Sequence, residues 1–461
     1  MLFSSVSFIF LFAPVVVGIN CLLQMNGKKN GWWLIAASAV YYGLAQINAL
    51  PVFLISLGVN FLFSKHIEKK GMLFFGVLFN LLFLGYFKYT NFLIDNVNSF
   101  FKTDFEFVKI LLPLGISFFT FVQIAYLVDL TRGTAKKMSF SEYLLFVSFF
   151  PQISAGPIVS YAEMVPQYRN ENERLSWQKA YAALILFIIG FAKKKLADNY
   201  AFFANELFDG GKSSFAWAWL GTIGYTFQLY FDFSGYCDMG MAVAKMLNIS
   251  LPVNFNSPYK ADSIQDFWRR WHITLSLWLR DYLYIPLGGS RKGLARTVLN
   301  YFIVFLLGGF WHGAGWTFIV WGAMHGTALG IHRVWKMLNR PLPKIAGVIV
   351  TFLFIHLTWV FFRAATVEQG MEIVSEMFAP VNFDVPEWGF MRQYAVQCAF
   401  GILCAFAAPN SMRIFQAVDA GKKTFCFAVF LICFAVFLTV QANSSPVFLY
   451  FKFEGYENEY L

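Results

Sequence analysis

Long apolar runs recur along the chain, near positions 4–24, 31–48, 50–64, 71–88 and 108–128, with polar breaks between them. A helix that crosses a bilayer needs about 20 consecutive apolar residues, so each run predicts a spanning helix. The breaks are NGKKN at 26–30, QINALP at 46–51, KHIEKKG at 65–71, a longer stretch from Lys88 to Phe107, and TRGTAKKM at 131–138. Lys and Arg concentrate in the first, third and fifth of these. Basic loops stay on the cytoplasmic side, so the pattern predicts an external N-terminus and three cytoplasmic loops. The opening MLFSSVSFIFLFAPVVVGINCLL has neither a basic leader nor a small-residue cleavage site. It reads as a first spanning helix rather than a cleaved signal.

The alternation weakens beyond Ser139. The run FVSFFPQISAGPIVSY (146–161) is broken by Pro151, Gly156 and Pro157. Irregular backbone at membrane depth is tolerated where protein or a water-filled cavity covers it, so this segment reads as re-entrant or cavity-lining. A span near 178–192 is expected to stop at Lys193, Lys194 and Lys195, again on the cytoplasmic side. The run 219–249 carries Gln228, Asp232 and Asp238 and predicts a helix facing the protein interior. Further spans fall near 297–316, 317–334, 343–362, 392–408 and 424–441. The sum is roughly ten to fourteen spans and half-spans. The most hydrophilic stretch, 161–179, is too short for a soluble domain, and 376–391 reads as an external flap. The fold class is therefore all-α: a polytopic membrane protein forming one domain over 1–461, with 442–461 as an extracytoplasmic tail.

Composition supports this. Of 461 residues, 58% are hydrophobic and 13% charged, against about 25% charged in soluble domains. The formal net charge of +10 has two readings, nucleic-acid binding or cytoplasmic basic loops. The positions of the lysines favour the second, and no basic run has the aromatic spacing of a nucleic-acid site. The six cysteines form no C-x-x-C pair, which argues against a zinc ribbon or a disulfide framework.

Chemistry concentrates between Asn254 and Gly326, which holds three of the six histidines. His312 lies in GGFWHGAGW, where flanking glycines admit close approach by another helix or a substrate. A neutral imidazole there can take a proton from a hydroxyl; the competing reading is a buried histidine bonded to a carbonyl. His272 lies beside Asp266, Arg269 and Arg270 and can converge with His312 from a neighbouring helix; alone, it also reads as an interfacial histidine among charges. His325 and His332 are seven residues apart, but with no HExxH motif and no carboxylate between Gly293 and Met337 no metal site is indicated. His66 and His356 read as structural. The turn LGGSRKG (287–293) offers Ser290, Arg291 and Lys292 to phosphates, or is a basic cytoplasmic turn, or both. It lacks the spacing of a phosphate-binding loop, and no G-x-S-x-G elbow supplies a serine nucleophile.

Four motifs together, YFDFSGYxDM (230–239), NFNxPY (254–259), FWRRWHITLSLWLRDYLYIPLGGSR (267–291) and GGFWHGAGW (308–316), resemble the membrane-bound O-acyltransferase family. More narrowly they resemble its bacterial branch that acylates cell-surface polymers. PLGISFFTF (113–121), FFPQISAGPI (149–158) and GFAKK (190–194) fit the same branch. The resemblance implies a ring of tilted helices around a tunnel and funnel, in the bacterial plasma membrane (the inner membrane of a Gram-negative cell). It carries the family histidine onto His312 and the second active-site position onto His272. It implies acetyl-CoA as donor, with Arg269, Arg270, Ser290, Arg291 and Lys292 as candidate donor contacts. It also implies an extracytoplasmic esterase-like partner of the SGNH type and an exported acceptor, an alginate-like polysaccharide or peptidoglycan. The tail SSPVFLYFKF (444–453) is similar to that branch's C-terminal F-x-Y-F motif, and its Tyr450 is a candidate acetyl carrier. D-alanyl transfer to teichoic acid is the rival within the family. A transporter without chemistry, or a scaffold for a secretion complex, is the rival outside it; neither needs a base at His312.

Overall fold

The apolar runs fold as helices, and among the described residues there is no strand. The computed structural model describes residues 1–27, 30–154, 156–169, 175–212, 214–379, 383–421 and 449. The helices are α1 (Phe8–Met25), α2 (Gly31–Gln46), α3 (Leu50–Lys65), α4 (Met72–Phe101), α5 (Ile116–Arg132) and α6 (Phe140–Ser148). The chain continues through α7 (Phe150–Ile153), α8 (Tyr161–Arg169), α9 (Trp177–Phe208), α10 (Phe215–Met246), α11 (Ile264–Trp268) and α12 (Ile273–Leu279). It closes with α13 (Gly293–His312), α14 (Trp316–Met337), α15 (Lys344–Arg363), α16 (Val367–Phe378), α17 (Trp388–Ile402) and α18 (Ser411–Asp419). Among the described residues five stretches are long and apolar enough to cross a bilayer: α1, α2 with α3, α4, α13 and α15. The expected span at 424–441 lies outside the described residues.

Four boundaries differ from expectation; one is the span expected at 108–128, whose helix begins only at Ile116. The break at 46–51 is itself helical, a tight turn at Ile47–Ala49, so α2 and α3 form one apolar stretch of 35 residues. Lys88 does not begin a loop: α4 runs on to Phe101 because the Lys88 ammonium is satisfied by Ser117 Oγ at 3.1 Å and the Trp311 carbonyl at 2.7 Å. Lys193–Lys195 do not end a helix either, since α9 continues to Phe208. Lys193 pairs with Asp238 at 2.7 Å, and Lys194 with Asp198 at 2.5 Å and Asp232 at 2.9 Å. Lys193 and Lys194 are thus paired inside the protein, and the helix continues through them. A buried charge persists when it is paired and hydrogen-bonded.

The α9–α10 pair forms the spine of the core. A Cβ on Gly190 would lie 2.6 Å from the Gly235 carbonyl oxygen, so the two backbones touch where only glycine fits. As expected, Gln228, Asp232 and Asp238 of α10 are buried. The segment after Ser139 is broken as foreseen: Ser139 caps α6 in a reciprocal bond with Glu142, α7 is one short turn, and 156–159 is irregular and buried. Its backbone is satisfied by side chains from elsewhere, Phe150 N–H by Ser38 Oγ and Ile158 N–H by Thr274 Oγ1.

The predicted third and fifth loops share one face. Lys137 donates to the Lys65 carbonyl and pairs with Glu68 at 2.8 Å. Beside them Arg132 donates to the Asp281 carbonyl and Tyr282 to Asp129. The basic turn that precedes α13 therefore follows directly from this basic face.

Candidate active site

Helices α13 and α14 form a hairpin around Gly313–Gly315. Gly322, Gly326 and Gly330 line the α14 surface at one-turn spacing, and a Cβ on each would strike α13. Small residues at this spacing let helix backbones pack in contact. His312 is the last residue of α13, where the final carbonyls of a helix lack intrahelical partners. Two consecutive residues of α4 supply them: Tyr89 Oη donates to the Phe310 carbonyl at 2.8 Å and Lys88 Nζ to the Trp311 carbonyl at 2.7 Å. A cation at a helix C-terminus also complements the helix dipole. The Tyr89 ring stacks on Phe310 at 4.2 Å between centroids. The turn that carries His312 is thus gripped from α4.

The buried His312 ring sits among Trp311, Trp321 and Phe362, at centroid distances of 5.0, 5.2 and 5.3 Å. The His272 ring is 6.5 Å away, tilted by 56°. The sequence expectation that these two histidines converge is met in this geometry. His272 opens α12 in the left-handed backbone region, with φ 43° and ψ 54°. Residues other than glycine rarely adopt it, and such strained positions cluster at functional sites. Phe233 packs edge-on to the His272 ring at 4.9 Å.

The other histidines have different surroundings. Trp268 Nε1 donates to His325 Nδ1 at 3.2 Å, and His325 Nε2 bonds Thr358 Oγ1 at 3.1 Å. Both ring nitrogens are occupied, which makes His325 a packing element. His356 Nδ1 bonds Thr226 at 2.8 Å. His66 is exposed. Among the described residues no three His, Cys, Asp or Glu side chains gather as a metal-binding group.

The candidate donor contacts lie apart from this pair. Ser290, Arg291 and Lys292 are exposed just before α13, at the opposite end of that helix from His312. Twenty helical residues separate the ends, about 30 Å at 1.5 Å per residue. Arg269 is exposed, while Arg270 is engaged by Asp266 at 2.7 Å. Tyr450 lies outside the described residues. Leu449, just before it, is buried, and its N–H donates to Asp232 Oδ2 at 2.8 Å.

Sequence reasoning missed Lys88 and Tyr89, which it assigned to a loop, and gave no role to Asn254 or Thr274. A lysine inside an apolar run was the available signal for the first pair. Asn254 opens a motif that resembles the family's, without any hint of its contacts.

A model of the membrane-bound O-acyltransferase family matches residues 129–367, which contain both converging histidines and the basic turn. The chain belongs to this family. It is 40% identical to the peptidoglycan O-acetyltransferase of Helicobacter pylori over 98% of each chain. It is 35% identical to the probable alginate O-acetylase AlgI of Azotobacter vinelandii, over 98% of this chain and all of that one. The teichoic acid D-alanyltransferase of Bacillus subtilis is 30% identical over 52% of this chain and 66% of its own length. As a membrane-bound O-acyltransferase the protein is an enzyme, multi-pass and helical, that uses an acyl donor.

Proposed function

We propose that this O-acyltransferase takes acetyl from cytoplasmic acetyl-CoA and passes it across the bacterial plasma membrane for O-acetylation of an exported polysaccharide or peptidoglycan. The observation that carries the reading is the His272–His312 pair, 6.5 Å apart in a buried aromatic pocket. It lies at one end of a helix whose other end is a basic turn. The relatives aligned over 98% of the chain are named for O-acetylation, whereas the D-alanyltransferases align over 52–54%. That contrast favours acetyl over D-alanyl.

In this mechanism Ser290, Arg291 and Lys292 meet the donor's phosphates, with Arg269 and Arg270 as further cationic contacts. His312 removes the proton of an attacking hydroxyl. The oxygen bonds the thioester carbon, the carbon–sulfur bond breaks, and the proton passes from the imidazolium to the departing sulfur. His272 assists this proton transfer. Tyr450 is the attacking hydroxyl: a phenol has a pKa near 10, which makes it easier to deprotonate than an alkyl alcohol and keeps its ester reactive for the next transfer. The burial of Leu449 against Asp232 supports a tail that enters the protein. An esterase-like extracytoplasmic partner of the SGNH type then moves the acetyl group to polymer.

The test is His312→Ala in proteoliposomes with labelled acetyl-CoA. Loss of a general base lowers the rate by about 10²–10⁴; wild-type transfer from a folded variant would overturn the reading. Tyr450→Phe, which removes only a hydroxyl, should abolish polymer acetylation at normal expression. Full activity there would leave direct transfer to the partner as the better account.

A further inference from the structure

Asn254 lies eighteen positions before His272 in the chain, yet it bonds the histidine and the two residues that follow it through four contacts. Its backbone carbonyl accepts from Ile273 N–H at 3.0 Å. Its side-chain Oδ1 accepts from Thr274 N–H at 3.2 Å and from Thr274 Oγ1 at 3.0 Å. The same Oδ1 lies 3.2 Å from His272 Nδ1. A backbone N–H is always a donor, so the Thr274 amide fixes which end of the Asn254 amide faces it: the oxygen. Thr274 Oγ1 has its own acceptor duty, filled by Ile158 N–H at 3.0 Å, which leaves its hydrogen for Asn254. An amide oxygen only accepts. The proton on the His272 ring is therefore on Nδ1, and Nε2 carries a lone pair. That Nε2 is buried and has no hydrogen-bond partner among the described residues. Asn254 and Thr274 are themselves buried, so water does not compete for these bonds.

From this geometry we infer that Asn254 is a positioning residue for catalysis, fixing His272 in the Nδ1–H form so that its Nε2 lone pair can accept a proton beside His312. The inference rests on the acyl-transfer reading above. It explains the strained left-handed backbone at His272: the Asn254 carbonyl and side chain hold residues 272–274 in the one arrangement that turns Nδ1 to the amide. In the reaction, Nε2 relays the proton that His312 removes as the hydroxyl oxygen bonds the acetyl carbon, on its way to the departing sulfur. It thereby shares with His312 a single proton that starts on oxygen and ends on sulfur. A ring in the other tautomer would offer a donor at Nε2 and could not accept.

The experiment is a mutant cycle in proteoliposomes with labelled acetyl-CoA. Asn254→Leu removes the acceptor at similar size. It should lower kcat about 30-fold or more while the KM for acetyl-CoA stays within about twofold. Asn254→Asp keeps an oxygen facing His272 Nδ1 and Thr274, and should recover activity to within about fivefold of wild type. The Asn254→Leu/His272→Ala double variant should be no slower than His272→Ala alone, because both act through one group. A merely structural asparagine predicts multiplied losses in the double variant and no rescue by Asp; either result overturns the inference. Thr274→Val serves as a milder substitution if Asn254→Leu fails to accumulate, and the same non-additivity with His272→Ala is expected of it. Full activity of His272→Ala would overturn this inference while leaving His312-dependent acyl transfer intact. Full activity of His312→Ala would instead remove the reading beneath it.

Discussion

A close constraint on the His272–His312 pair is a glycine that carries no chemistry. A Cβ on Gly309 would lie 2.2 Å from the Phe318 carbonyl oxygen and 3.1 Å from Gly322 Cα, where ordinary contact begins near 3.4 Å. The deficit at the oxygen is about 1.2 Å, and neither obstacle is a side chain that can swing away. In Gly309→Ala, helix α14 must move outward by about that distance, and with it Phe318, Trp321 and His325. Trp321 is part of the His312 wall, at 5.2 Å. Overpacking of this kind costs about 1–3 kcal/mol of stability, and a displacement near 1 Å at a reacting group can cost about 10² in rate. The expected result is a clear fall in the Tm of the detergent-solubilised protein and a loss of acetyl transfer of about tenfold or more. The adjacent Gly308→Ala is the control, since its Cβ would meet only the Leu279 Cδ1 at 3.4 Å. It should retain both properties, because alanine also favours helix. If Gly309→Ala matches Gly308→Ala in Tm and kcat, the close backbone contact is not what fixes the His312 turn.

Lys88→Met should lower kcat about tenfold or more, because the Trp311 carbonyl loses its partner beside His312; Tyr89→Phe, losing one hydrogen bond of about 1 kcal/mol, should be milder, and equal wild-type rates in both would refute the capping role. Arg291→Ala with Lys292→Ala should raise the KM for acetyl-CoA with little change in polymer-partner binding; an unchanged KM would make this turn a topology signal alone. Outside the spanning helices, the Arg169 guanidinium, 2.6 Å from Glu142, holds that carboxyl down to about 2 from an ordinary 4.5, with the Ser139 cap adding to the effect. A depressed pKa gives stability that is complete above about 4.5 and lost as the pH falls through about 2. The Tm of Glu142→Gln should therefore fall less steeply than wild type over that window, and parallel curves would refute it.

Hydrophobic runs revealed that the chain is helical and membrane-embedded, since periodicity and length depend on local sequence alone. They did not reveal where helices end at charges. Lys88, Lys193 and Lys194 each read as a boundary, because an unpaired ammonium is costly in apolar surroundings. Each has partners supplied from elsewhere: Trp311 for Lys88, Asp238 for Lys193, and Asp232 with Asp198 for Lys194. Asp198 lies one helical turn from Lys194, but Trp311, Asp238 and Asp232 are far away in the sequence, where no short window of residues contains both halves of the contact. Gln228, Asp232 and Asp238 were correctly placed inside for the complementary reason: three polar residues in one apolar helix need an interior to face.

The same logic separates what could and could not be seen of the site. His312 was legible because its own flanks, Gly308, Gly309 and Trp311, already describe a tightly packed turn. His272 was weaker by itself, since its neighbours Asp266, Arg269 and Arg270 suggest an interface with water. Its ring nevertheless points away from them, into the pocket with Phe233 and His312. The reversal occurs within one residue, at the left-handed φ of 43°. Asn254, from a separate loop, bonds the two residues that follow, Ile273 and Thr274, and no local sequence signal marks these contacts. A histidine on a regular helix in this place would have kept its neighbours' orientation. The left-handed turn and the asparagine contact accompany one buried imidazole next to a charged segment, an arrangement found only once the chain is folded.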